Sequence, residues 1–315
     1  MKRILISLLA FLPLLTISAQ NSASLRLNLE KGKLYRMKAL SEQTITQTIN
    51  GNQQTVDSKV NYILSLKMLD ATPAFVIVEV HFDTLATTTN SMGKVTSIAS
   101  VKEGDIKSSD VGEIMSCIMN RLSKNAVYAK LDFTGKPLEV VNAKMLSDMI
   151  LKDTSSITLT GMMRNAVKTQ VQSAVSENTL KTMIGMFTWC LPDKEVRSGE
   201  SWKVSQQTNS GGMTLDINTS YNLDGINGNM ASVTAEASIK PPENALPMEQ
   251  GGAKITYDNL QGLSKTTSVI DTRTGLTTKS EAKTHLAGNL GISAPGFSMQ
   301  MPMDINGTSK ISLLQ

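Results

Sequence analysis

The sequence predicts an α+β fold: one large curved antiparallel sheet, or two, built from both ends of the chain, with about three helices inserted centrally. Three observations predict it. Apolar and polar residues alternate from Val60 to Met68 and from Val76 to Phe82, the period of a half-buried strand. Between Val111 and Leu122, and again from Met162 to Phe187, apolar residues recur at three and four, the period of a helix. After Pro192 the alternation returns and continues to residue 315. Composition agrees: Ser and Thr make up about a fifth of the chain, aromatics 4% and charged residues 18%, which suits sheets with solvated hydroxyl faces.

Residues 1–19 have the layout of a secretory leader. Met1-Lys2-Arg3 is basic, Ile4 to Ile17 is mostly apolar, and Ser18-Ala19-Gln20 supplies small residues at a cleavage point near Ala19/Gln20. Cleavage there removes Lys2 and Arg3 and lowers the formal net charge from +4 to +2, too little to select nucleic acid. After the leader no run of about 18 apolar residues would cross a bilayer as a helix. No Cys stands at the leader junction for lipid attachment. The expected location is therefore exported, in the periplasm or at the cell surface, without a lipid anchor.

Residues 20–109 read as a β-meander, with turns at Asn50-Gly51-Asn52 and Ser91-Met92-Gly93. Residues 110–191 read as a helical middle. Asp110 and Glu113 form a capping-box-like start, and a short strand pair brackets Asp132-Phe133-Thr134-Gly135. A second helix covers Ala143 to Leu151, and a longer helical stretch breaks near Ser176 and stops by Pro192. Residues 192–315 read as a second β region with turns at Asn227-Gly228-Asn229 and Asp271 to Gly275, and a loop from Pro241-Pro242 to Gly251-Gly252. Residues 20–315 are expected to form one composite domain. Gly32-Lys33-Leu34-Tyr35-Arg36-Met37 and Gly199-Glu200-Ser201-Trp202-Lys203-Val204 both read Gly-x-x-aromatic-basic-apolar. They mark two related β-halves or a chance match.

The leader end at Ala19-Gln20, the phrase Thr44-Ile45-Thr46-Gln47-Thr48-Ile49-Asn50-Gly51, and Pro192-Asp193-Lys194 leading to Gly199-Glu200-Ser201-Trp202 resemble an uncharacterised family of exported proteins of Bacteroides-type bacteria. The resemblance covers most of the chain after the leader. It implies an envelope location and a large β-rich domain, and it assigns no activity and no site residue. Strands wrapping a helical middle are also similar, in architecture alone, to periplasmic carriers of lipoproteins and lipids.

Few side chains offer chemistry. Glu79, His81 and Asp83 share one face of a strand and could hold a divalent metal, but same-face neighbours lie roughly 6.5–7 Å apart, and a solvated charge cluster is the simpler reading. Ser91 to Lys94 and Ser280 to Lys283 match Ser-x-x-Lys in a turn and a strand, where the pair cannot share a helical turn. No nucleophile elbow, phosphate loop or dinucleotide fingerprint occurs, so no catalytic residue and no cofactor are expected. Met299, Met301 and Met303 alternate and read as a buried strand face rather than a Cu(I) site. Cys117 and Cys190 could close a loop of about 74 residues or remain separate thiols.

The methionines of the helical middle suggest more. Met115, Met119, Met163, Met183 and Met186, with Phe187, are either core or the wall of an apolar cavity between helices and sheet. Two functional readings follow. The first is a non-enzymatic exported envelope protein that binds an apolar or lipid-like ligand in that space. The second is a structural or interaction protein of the outer membrane or cell surface with no small-molecule site.

Overall fold

The computed structural model describes residues 22–49, 51–210, 213–250 and 253–314. The leader and its cleavage point lie outside the described residues, as do Asn50 and the Gly251-Gly252 pair. After the two-residue β1 (Ser22–Ala23), the N-terminal meander comprises β2 (Leu34–Ile49), β3 (Asn52–Ala71), β4 (Val76–Ser91) and β5 (Lys94–Ala99). Gly51 (φ 79°) closes the first hairpin, and Met92 and Gly93 (φ 50° and 81°) the third, as the turn residues predict.

Helix α1 (Val111–Ser123) follows. Its N-cap is Asp110, whose carboxylate accepts from Gly112 N at 2.7 Å. The hairpin of β6 (Val127–Leu131) and β7 (Pro137–Val140) and helix α2 (Ala143–Ile150) come next. The remaining helical stretch is two helices, α3 (Gly161–Ala174) and α4 (Glu177–Thr188). The expectation of about three helices is thus corrected to four α-helices among the described residues. The apolar period runs unbroken across the junction, but Ser176 is extended (φ −68°, ψ 150°) and its hydroxyl accepts from Thr179 N, which restarts the helix.

The C-terminal part holds the two-residue β8 (Val196–Arg197), then β9 (Ser201–Ser210), β10 (Met213–Asn227), β11 (Met230–Lys240), β12 (Met248–Gln250), β13 (Ala253–Asp271), β14 (Thr277–Ala294) and β15 (Phe297–Leu314). The predicted loop at 241–252 therefore contains a strand. Met248 to Gln250 follow Pro247 and pair with Ala253 to Ile255 of β13.

Among the described residues thirteen strands form one antiparallel sheet in the order β7-β6-β4-β3-β2-β15-β14-β13-β11-β10-β9, with β5 on β4 and β12 on β13. β1 and β8 form a separate pair. The last strand joins the first long one: Met303 to Leu314 of β15 pair with Gln47 to Arg36 of β2. The sheet is open, with β7 and β9 at its ends.

One face of the sheet packs on the helices. Met37, Leu64, Leu66, Val78, Val80, Phe82 and Leu85 meet Ile114, Ile118, Leu122, Leu180 and Ile184 in one core. Around it runs a strap, residues 24–33, that belongs to no strand of the sheet. Its Leu25, Leu27 and Leu29 are buried. Leu27 N donates to Phe133 O and Asn28 N to Thr274 O, both at 2.9 Å, so the strap ties the β6–β7 turn to the β13–β14 turn. Gly275 (φ 74°) lies against it, and a Cβ there would overlap the Arg26 carbonyl.

The two Gly-x-x-aromatic segments occupy matching places. Gly32 and Gly199 have φ 80° and 86°. Gly32 N donates to Met68 O and Gly199 N to Leu223 O. Tyr35 pairs with Leu66, two residues before Met68, and Trp202 with Tyr221, two before Leu223, so the register is identical. Both aromatics are buried, and each anchors through its polar tip: Glu30 N donates to Tyr35 Oη, and Trp202 Nε1 donates to Cys190 O.

Candidate functional site

The space between helices and sheet is a packed core, and the six expected wall residues are dispersed around it. Met115 and Phe187 are buried within it. Met119 and Met183 lie half-buried at its edge, while Met163 and Met186 are 57% and 43% exposed. Branched Ile, Leu and Val fill the interior, and the thioethers fall largely to helix flanks.

Glu79, His81 and Asp83 do share the helix-free face of β4. His81 Nε2 lies 3.1 Å from Glu79 Oε1, whereas Asp83 is drawn to the neighbouring strands, accepting from Ser65 Oγ at 2.6 Å and Arg36 Nε at 2.8 Å. Among the described residues no group of three or more His, Cys, Asp or Glu could hold a metal ion. Cys117 and Cys190 are free thiols. Burial raises both, Cys190 to about 11 even though Thr277 Oγ1, 3.7 Å from its sulfur, acts the other way. No helix among the described residues is long and apolar enough to cross a membrane.

A different apolar surface emerges from the register. On the helix-packed face Ile45 lies beside Ile305, and Ile305 beside Leu286. Farther along, Met301, Leu290 and Tyr257 form one row, and Met299, Ile292 and Ile255 the next. Leu215, Leu260, Leu286, Leu290, Met301 and Met303 are buried there as a second cluster. Ile45, Ile49, Ile239, Ile255, Tyr257, Ile292, Met299 and Ile305 surround it half-buried. All fourteen belong to strands, so the sheet alone carries this surface.

Local irregularity builds it. Asn259 adopts φ 55°, and the register slips between Asp258 and Gln261, which turns Leu260 into the cluster. Gly288 leaves the room: a Cβ there would meet Leu260 Cα at 2.5 Å. A belt of small or hydroxylated residues separates the two apolar regions, as in the row Gly307, Thr284, Ser264 and Ala237. The stripe Met299, Met301, Met303 was its visible signal in the sequence, but it showed one strand of the surface and not the neighbours that complete it.

Residues 74–277 match the model of DUF6263, a family of unknown function. No curated protein matches. Among solved structures, the COG4313 outer membrane channel from Pseudomonas putida F1 is similar at 8% identity over 91% of this chain and 97% of its own, with TM-score 0.28. The Pseudomonas aeruginosa protein OccK11 (OpdR) is similar at 8% identity over 91% and 99%, with TM-score 0.25. A DUF1329 family protein from Desulfovibrio piger is similar at 9% identity over 86% and 83%, with TM-score 0.14.

Proposed function

The chain belongs to the DUF6263 family, and we propose that it is a non-enzymatic, exported protein of the cell envelope that holds an apolar, lipid-like ligand. The ligand lies on the helix-packed face of the sheet, beyond the helices. The observation that carries this reading is the second apolar cluster, with eight half-buried apolar side chains around six buried ones and no helix over them. A methylene buried there gains up to about 0.8 kcal/mol, so roughly ten supply at most about 8 kcal/mol before the costs of association are subtracted. Export rests on the leader-like layout of residues 1–19. The non-enzymatic part rests on the ties that occupy the candidate acid–base groups, Glu79 with His81 and Asp83 with Arg36 and Ser65.

The test is native mass spectrometry with lipid extraction, joined to a fluorescent fatty-acid binding assay. The double variant Ile292→Glu, Met299→Glu alters two half-buried side chains at the margin. It should lose the probe at least tenfold while melting within a few degrees of wild type. A wild-type protein that carries no lipid and binds no probe, or a variant that binds equally well, refutes the reading. The structural or interaction reading would then stand, and Met162 and Met163, 74% and 57% exposed at the start of α3, are the apolar contacts it would use.

A further inference from the structure

The helix-free face of the sheet carries a groove of different chemistry. It has a volume of about 850 Å³ and crosses from β4 to β13, with Lys59, Glu42, Thr308, Lys283, His285 and Leu263 in its wall. It continues into a second depression of about 870 Å³ that shares Glu42, Lys265, Lys283 and Thr308. The ladder places one row of side chains across it: Lys59, Glu42, Thr308, Lys283, Lys265, Glu236. Six strands at about 4.8 Å give a row roughly 24 Å long.

Charge in this row is balanced except at one point. Lys59 pairs with Glu42 at 2.8 Å and Lys265 with Glu236 at 3.1 Å. Farther along the groove Lys310 lies 3.8 Å from Glu281. Lys283 has no carboxylate within 4.0 Å among the described residues, and it stands directly opposite Lys265. Like charges opposed in a ladder repel, and an anion between them would relieve that repulsion.

The adjoining row is Asp57, Thr44, Asn306, His285 and Leu263. Thr44 Oγ1 donates to Asp57 Oδ1 at 2.7 Å, Asn306 Nδ2 donates to Asp304 Oδ1, and His285 Nε2 lies 2.7 Å from Asp304 Oδ2, so carboxylates hold these side chains in place; at the end of the row stands Leu263, 63% exposed. An unpaired ammonium beside an exposed apolar side chain, with a hydroxyl, an amide and an imidazole held alongside, suits a sugar ring that has one apolar face, several hydroxyls and a carboxylate. The carboxylates of Glu42, Asp57, Glu236 and Glu281 in the same groove oppose a dense polyanion such as nucleic acid or polyphosphate. We propose that this groove binds an extended oligosaccharide whose acidic residues are spaced apart, with a sugar carboxylate on Lys283 and the ring face on Leu263.

The test uses the full chain and three probes in calorimetry: a hyaluronan hexasaccharide, with a uronic acid at every second residue, the uncharged chitohexaose, and a polyphosphate of similar length. The hyaluronan fragment should bind at least tenfold more tightly than the other two. Lys283→Gln and Leu263→Asp should each weaken it about tenfold, and Lys254→Gln, on the same face outside the groove, should not. Both groove side chains are exposed, so melting temperatures should stay within a degree or two. No binding of the hyaluronan fragment by wild type, equal binding of chitohexaose, tighter binding of polyphosphate, or unchanged affinity in Lys283→Gln would each overturn the proposal. Fatty-acid binding on the opposite face should be unaffected by these variants, which keeps the two sites separately testable.

Discussion

Truncating Leu27 to alanine should open the base of the molecule. Leu27 is 1% exposed and sits between Leu25 and Leu29, which are buried on the same side of the strap. A Leu→Ala change at such a site costs about 2–5 kcal/mol, the lost transfer energy plus the cavity left behind. For a chain of this size 1 kcal/mol corresponds to about 2–4 °C, so melting should fall by roughly 4–20 °C. The backbone bonds Leu27 N to Phe133 O and Asn28 N to Thr274 O span the two turns, so loosening the strap should expose both. Thermal melts give the first reading. Hydrogen exchange with peptide-level mass spectrometry gives the second: protection should drop together in peptides covering 25–30, 131–136 and 271–276. Leu34→Ala, at a position 60% exposed, should change stability by no more than about 0.5 kcal/mol. Melting of the Leu27 variant within a degree of wild type, or loss of protection in the strap alone, would refute the idea that this segment fastens the two turns together.

Acid should act through two carboxylates. Arg273 donates twice to Asp271, and Arg121 to Asp153, and these guanidiniums hold both carboxyls below their usual range. Such groups add stability above the unfolded value of about 3.9, and that stability is lost as pH falls through the lower folded value. Circular dichroism should therefore show wild type holding to below about pH 4, with Arg273→Gln unfolding at higher pH; coincident acid midpoints would count against the Asp271 pair. The thiols should be inert in the native protein. With Cys190 raised to about 11, its thiolate fraction at pH 8 is ~10⁻³, and Cys117 is buried, so iodoacetamide should label both rapidly only in urea; fast native labelling would count against the raised Cys190 thiol or the burial of Cys117.

The strands, the helix break at Ser176 and most turns were legible because each rests on local chemistry. Period-two alternation fixes a strand with one buried face, Ser176 caps the helix after it through its hydroxyl, and Gly51 and Gly93 take positive φ that few other residues accept. The repeated Gly-x-x-aromatic segments were legible as an echo, but their shared register required knowing which strand each one met. The strap shows plain alternation, Leu25, Leu27, Leu29, yet these residues lie in no strand of the sheet, and alternation alone does not say which turns they bond to. The candidate sites were hidden for a related reason. A methionine on a helix face looks the same whether it meets a core or solvent, and the packing of Leu and Ile from distant strands decides which. The second cluster draws on six strands, and the Lys283 groove depends on which carboxylates the ladder places next to each lysine.

The pairing of β15 with β2 has a kinetic consequence. Its twelve residue pairs join positions 256 to 278 residues apart, yet they form the middle of the sheet. Closing so long a loop costs about 5 kcal/mol of chain entropy before any of those bonds forms. The two meanders can assemble from near neighbours, whereas the seam between them must wait for the last strand. Until then β2 and β15 present long unpaired edges, the surfaces on which strands from another chain add. Folding speed, and the risk of association during folding, are therefore set at the centre of the sheet rather than at its rims.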